Sequence, residues 1–268
     1  MERPFHYTLA FKPIPRRRAL YRRLILPIYH AAPVNEDPPR RRPRLIGMIA
    51  LALCAGLLGF AIVSLSVGND EGDNVKITGA GEVQSLLGGI PQSGPRLGSA
   101  NAPVTVQVFN DPQCDPCSDW NREVIVPLIR GPVRAGDLQL VWHNFPMTQS
   151  GFFLGAYGAV AAAKQDYEWQ FIELFFANQD EAERHGADQE FLDGIARGVG
   201  VVNFNVEQWQ RDMDDSDIQE TLDADEKLSA ERRLPAQPAV VVGGPNGTRQ
   251  LIESPSLAEV QTAIAEVS

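Results

Sequence analysis

Cysteine is scarce in this chain, with three residues in 268, too few for a disulfide-stapled scaffold or a four-thiolate zinc site. Histidine is nearly as scarce. Its four copies, His6, His30, His143 and His185, lie far apart in sequence and offer no spaced ligand set. Positive charge is in deficit, with 24 Lys and Arg against 34 Asp and Glu and a formal charge of −10. That balance argues against a nucleic-acid-binding surface, which needs a basic face. At 44% hydrophobic and 22% charged, the chain is too apolar for wholesale disorder and too polar for a multi-span membrane protein. Its length suits one globular domain with appendages, or two small domains.

The averages conceal a sharp division. Residues 1–44 hold 11 basic against three acidic residues, a balance of +8, and eight of the 20 prolines. So much proline excludes a long helix or central strand from most of this stretch, which reads as a disordered basic tail. The remaining residues carry 13 basic against 31 acidic side chains, or −18. Between the two lies 45–67, which contains no charged residue. As a helix those 23 residues span about 34 Å, enough for a hydrocarbon core of about 30 Å. A buried globular helix would show polar positions at helical spacing, and this run shows none. A single transmembrane anchor is therefore expected. The basic flank places the N-terminus in the cytoplasm and the remainder outside the membrane. A 44-residue lead is long for a signal peptide, which favours an uncleaved anchor, although Ser64-Leu65-Ser66 leaves a cleavage site open. The tail reads first as a topology signal and second as a lipid-headgroup contact. Cys54, inside the run, reads as a small apolar helix residue.

Beyond the anchor, residues 68–102 are rich in Gly, Ser and Pro and read as an extracytoplasmic stalk, with a short apolar patch at 83–87. Alternating β-branched residues at 104–109 predict a strand. Directly after it comes Cys114-Asp115-Pro116-Cys117, followed by helical spacing to Arg130 that Pro127 interrupts. A second strand is expected at 138–142, then a helical block to about 232. Ala239 to Val242 reads as another strand and turns at Gly243–Gly247 into a hairpin. Ser256 and Glu259 form a capping box for a last helix.

Two cysteines two residues apart can close a disulfide across the first turn of a helix. There the first thiol faces unpaired N–H groups and the positive end of the helix dipole, which favours its thiolate, the species that attacks disulfides. Cys117, one turn in, would be the shielded thiol that resolves a mixed disulfide. Zinc would need two further ligands that the sequence lacks, and a structural disulfide closing so short a loop adds little stability. An oxidising compartment outside the membrane suits redox chemistry.

Strand, Cys-x-x-Cys, helix, the strand end Asn144-Phe145-Pro146, a helical insertion and Gln237-Pro238 before a hairpin together resemble thioredoxin-fold proteins of the DsbA type. Gly89-Ile90-Pro91-Gln92 and the entry at 102–106 are similar to their membrane-anchored bacterial members. The resemblance runs from about Gly89 to Val267. It implies an α/β thioredoxin fold over 103–268 with a helical insertion at about 148–232. It implies Cys114 as the exposed nucleophile, Cys117 as its resolving partner, and Pro238 at a cis-proline position where the backbone of Gln237 pairs with a bound substrate chain. No cofactor and no metal are implied. The partners would be client proteins with cysteines, a membrane redox protein for recycling, and the bilayer through 45–67, with no nucleic acid.

Three departures bear on the direction of exchange. Asp115, with Pro116, sets an acid beside Cys114 and should disfavour its thiolate. Val108 stands where relatives often bury an acid, leaving Asp111 or a water to take the Cys117 proton. Gln237 replaces a residue that is commonly small or β-branched. His143, at the end of the second strand, is a candidate for tuning the thiolate or an ordinary strand-end polar group. The reading is an extracytoplasmic oxidase, with reductase or isomerase as alternatives. From another class comes a non-catalytic binding protein or metallochaperone, although no well-placed extra His or Met supports copper delivery.

Overall fold

The computed structural model describes residues 75–145, 154–200 and 203–268. The expected tail, the anchor at 45–67 and Pro146 lie outside the described residues. Among those described, no helix is long and apolar enough to cross a membrane.

A six-stranded sheet organises the domain in the order β1-β2-β4-β3-β5-β6. At its centre, β3 (Val104–Asn110) lies parallel to β4 (Leu138–Asn144), with Val104 opposite Leu138 and Asn110 opposite Asn144. On the other side of β3 runs β5 (Ala239–Gly244), antiparallel, and β6 (Gly247–Leu251) closes the hairpin that the glycine-rich turn predicted. Strand alternation sorts the side chains by face. Val104, Val106, Val108, Leu140 and Trp142 join the main core, whereas Phe109, Ala239 and Val241 form a smaller cluster with Leu234.

The segment expected as a stalk is part of the domain from Val75 onward. Helix α1 (Ala80–Leu87) buries Val83 and Leu87. Strands β1 (Gln92–Ser93) and β2 (Arg96–Leu97) extend the sheet beyond β4, and Leu97 is fully buried. Asn178 clamps Thr78, accepting from its N–H at 2.8 Å and donating to its carbonyl at 2.9 Å. The Pro95 carbonyl accepts from both Trp142 N and Trp169 Nε1, each at 2.9 Å. Glycine and proline serve as turns here, and the few apolar residues find their partners far along the chain.

After β3 the chain is helical from Asp115 to Val133. It runs as α2 (Asp115–Trp120), a π-helical turn (Asn121–Ile125), the short α3 (Val126–Leu128) and a second π-helical turn (Ile129–Val133). Pro127 therefore does not end the helix. Proline cannot make the usual i→i−4 bond, and the wider turns, with Val126 N donating to Asn121 O, carry the helix past it. Between β4 and β5 stand α4 (Leu154–Ala163), α5 (Glu168–Phe176), α6 (Gln179–His185), α7 (Gln189–Gly198), α8 (Val206–Asp212) and α9 (Ser216–Glu231). All nine residues of α5 are buried. Its approach to α4 depends on Gly158, where a Cβ would sit 2.5 Å from Phe171 Cζ. The last helix, α10 (Leu257–Val267), starts at Ser256 with both reciprocal capping-box bonds present.

Candidate active site

The carboxyl ends of the parallel strands β3 and β4 lie at one end of the sheet, and the cysteine pair follows β3 directly. Cys114 caps α2 in extended conformation (φ −91°, ψ 107°), half-buried, while Cys117 is fully buried in the main core. Their sulfurs are bonded at 2.01 Å. The loop is held by main-chain bonds: Cys114 N donates to Asp111 O at 3.2 Å and Cys117 N to Cys114 O at 3.0 Å. Pro116 has no N–H to offer, and the exposed Asp115 carboxylate stands at the start of the helix, the end that favours negative charge.

The bond between Gln237 and Pro238 is cis. Pairing of Phe109 with Ala239 carries Pro238 to the level of Asn110, the last residue of β3. Pro238 is buried and its carbonyl accepts from Ser254 N at 3.1 Å. Gln237 is half-buried, and neither of its main-chain groups has a hydrogen-bond partner among the described residues.

His143 has a different setting from the cysteines. It lies on the face of the sheet opposite Trp142, stacked on Phe109 at 4.7 Å, and its Nδ1 meets Asp225 Oδ1 at 2.7 Å. Cys117 belongs to the main core cluster that also holds Val106, Val108 and Trp142, whereas Phe109 lies in the smaller one. His143 is thus a strand-end group occupied by α9.

Three carboxyls around this end of the domain are buried and held above the usual carboxylate range, and charge patterning in the sequence did not single them out as buried. Asp111 is 2% exposed, and burial pushes its carboxyl up to about 6, partly offset by the Gln113 N–H at 2.9 Å. Its Oδ2 has no hydrogen-bond partner among the described residues. Glu168 is held well above the usual carboxylate range by burial and then by the Asp225 carboxylate, with the Asn144 amide opposing. Glu173 is pushed up to about 7 by burial, against one hydrogen bond from Asn121 Nδ2 at 3.0 Å. The aromatic residues around Glu168 and Glu173 were the one available signal, because a helix apolar on nearly every side is a buried helix.

Glu173 yields a prediction with a definite sign. Below pH about 4.5 its carboxyl is protonated in the folded and unfolded chain alike. Between there and about pH 7 the unfolded chain ionises while the folded chain keeps its proton, so stability falls as pH rises. Glu173→Gln removes that dependence. In denaturant titrations, the variant's stability relative to the parent should rise by on the order of 2–3 kcal/mol between pH 4.5 and pH 8. A pH-independent difference would show that Glu173 is ionised in the folded protein.

A family model described as thioredoxin matches residues 92–266. The probable disulfide bond formation protein D of Bacillus cereus is 26% identical over 202 residues, covering 75% of this chain and 86% of that protein. The disulfide bond formation protein D of Bacillus subtilis is 24% identical over 150 residues, covering 55% of this chain and 67% of that protein. Among solved structures, oxidised BdbD of Bacillus subtilis superposes with a TM-score of 0.56 at 21% identity, covering 66% of this chain and 96% of that one. The thiol-disulfide exchange protein alpha-DsbA2 of Wolbachia pipientis gives 0.54 at 15% identity, covering 75% and 100%. At these identities the superpositions speak for the fold.

Proposed function

The chain belongs to the thioredoxin family as a DsbA-type thiol-disulfide oxidoreductase, and from that premise we propose that it is an extracytoplasmic disulfide-forming oxidase. The observation that carries this reading is the placement of the pair: Cys114 half-buried at the helix start and Cys117 fully buried one turn behind it.

A client thiolate attacks Cys114 Sγ, the Cys114–Cys117 bond breaks, and Cys117 leaves with the electron pair. A second client thiolate then attacks the client sulfur of the mixed disulfide and releases Cys114 as thiolate. Two electrons pass from the client dithiol to the cysteine pair. Two protons pass with them once both thiols are formed. Asp111, three residues before Cys114 and buried, is the carboxyl suited to exchange a proton with Cys117, in place of the acid absent at Val108. The unpaired main chain of Gln237, beside Pro238, would bind the client backbone. No bound cofactor is needed. A membrane redox partner would remove the two electrons, with the domain anchored through 45–67 and the basic tail in the cytoplasm.

Asp115 supports a second reading, because an acid beside Cys114 disfavours its thiolate and so moves the pair toward a reductase or isomerase. The reduction potential against glutathione decides between them. A value near roughly −120 mV fits the oxidase, and one near roughly −270 mV overturns it. Cys117→Ala in cells should accumulate mixed disulfides between Cys114 and client proteins. Absence of any such adduct would remove the exchange reading and leave a binding protein.

A further inference from the structure

Beside the cysteine pair lies a cleft of about 240 Å³, bounded by Gln113 and Asp115 on one side and by Phe175, Gln179, Ala182 and Glu183 on the other. Two fixed amides give it its shape. Gln113 Oε1 accepts from Gly155 N at 2.8 Å, which ties the loop before Cys114 to α4. Gln179 Nε2 donates to Pro112 O at 2.5 Å, which ties α6 to the same loop.

The polar groups left over are mostly acceptors. Gln179 spends Nε2 on Pro112 O, and its Oε1 has no protein partner among the described residues and is open to solvent. The carboxylates of Asp115 and Glu183 are exposed and have no ion pair or hydrogen bond among the described residues. Neighbouring acids differ in this respect: Asp119 is paired with Arg122, and Glu181 with Arg184. Among the described side chains of the lining, Gln113 Nε2 is the one unspent donor. Phe175 and Ala182 supply an apolar wall.

We infer that this cleft binds a cationic side chain of the client, arginine foremost, standing close in sequence to the client cysteine that attacks Cys114. The cleft is smaller than the roughly 300–1,000 Å³ of small-molecule pockets, so it suits one long side chain. A guanidinium carries five donors and no acceptor, which matches two carboxylates and a carbonyl. Its flat face and methylene stem suit Phe175 and Ala182. Asp115 directly follows Cys114, so the cleft lies within one or two client residues of the reacting sulfur. This rests on the proposed exchange at Cys114 and adds a sequence preference to it.

The test uses the full-length oxidised protein and two reduced peptides, identical except for Arg or Glu next to the single pair of cysteines. At low ionic strength the Arg peptide should reduce the protein about tenfold faster, with the ratio shrinking in high salt. Glu183→Gln should cut that ratio about threefold. Glu220→Gln, which removes the same charge from the exposed face of α9, should leave it within error of the parent. Equal rates for the two peptides overturn the inference. So does an equal loss of preference in both variants, which would trace it to the overall acidic field. Neutral dithiothreitol separates the two levels: if it reduces the pair while the peptides show no charge preference, exchange stands and only the cleft assignment falls.

Discussion

Cys114→Ser should abolish disulfide transfer, lowering the rate at which the protein oxidises a reduced peptide by on the order of 10³-fold or more. A hydroxyl at this position cannot form the mixed disulfide, so both steps of the exchange lose their electrophile and their leaving group. Folding should survive. Cys114 is only half-buried, and its N–H and C=O keep their bonds to Asp111 and Cys117 in the variant. Cys117→Ala is different in kind: its Cys114 thiolate can still attack a client disulfide, releasing one client thiolate. With no Cys117 thiol to attack the resulting mixed disulfide, the adduct outlasts the parent's. Parent-like activity in Cys114→Ser would exclude the pair as the redox centre, because Cys54 and Cys117 would be the only cysteines left.

Trp169→Ala should lower stability by about 3–5 kcal/mol, read as a shift in the midpoint of denaturant unfolding at unchanged slope. Trp169 is fully buried and meets Trp142 edge to face at 5.8 Å between centroids. Its Nε1 reaches Pro95 O, which also receives Trp142 N. One side chain thus joins the helical insertion, β4, and the turn between β1 and β2. Trp169→Phe keeps much of the apolar area and loses the hydrogen bond, so its cost should be smaller. A loss below about 1 kcal/mol for the alanine variant would mean that the region collapses around the vacancy.

How far the sequence could be read depended on whether a signal was local. Alternation placed β3 and β4 within two residues of their ends, and Ser256 with Glu259 marked the start of α10. The cysteine motif needed only four consecutive residues. Residues 75–102 failed as a stalk because what holds them is about 100 positions away, Asn178 for Thr78 and Glu181 for Lys76. Composition cannot distinguish a glycine that loosens a linker from one that turns a packed strand. His143 met the same limit, since Asp225 stands 82 residues on. Pro127 misled in the opposite direction: the rule that proline ends a helix holds for the i→i−4 ladder, and the chain passes it in π-helical turns. Asp111 is a candidate proton acceptor in the sequence only because Val108 is not an acid, and the burial that raises its carboxyl to about 6 comes from tertiary packing that local sequence does not show. Resemblance, and not propensity, singled out Gln237 and Pro238.

An open sheet edge can capture any extended segment and seed aggregation. Both edges of this sheet discourage such capture. On one side β1 is two residues long, Gln92–Ser93, too short to template a ladder. On the other, β6 carries Thr248, Arg249 and Gln250 exposed, with Arg249 paired to Glu266 across to α10. An extended chain arriving at either margin therefore meets a two-residue strand or a charged one.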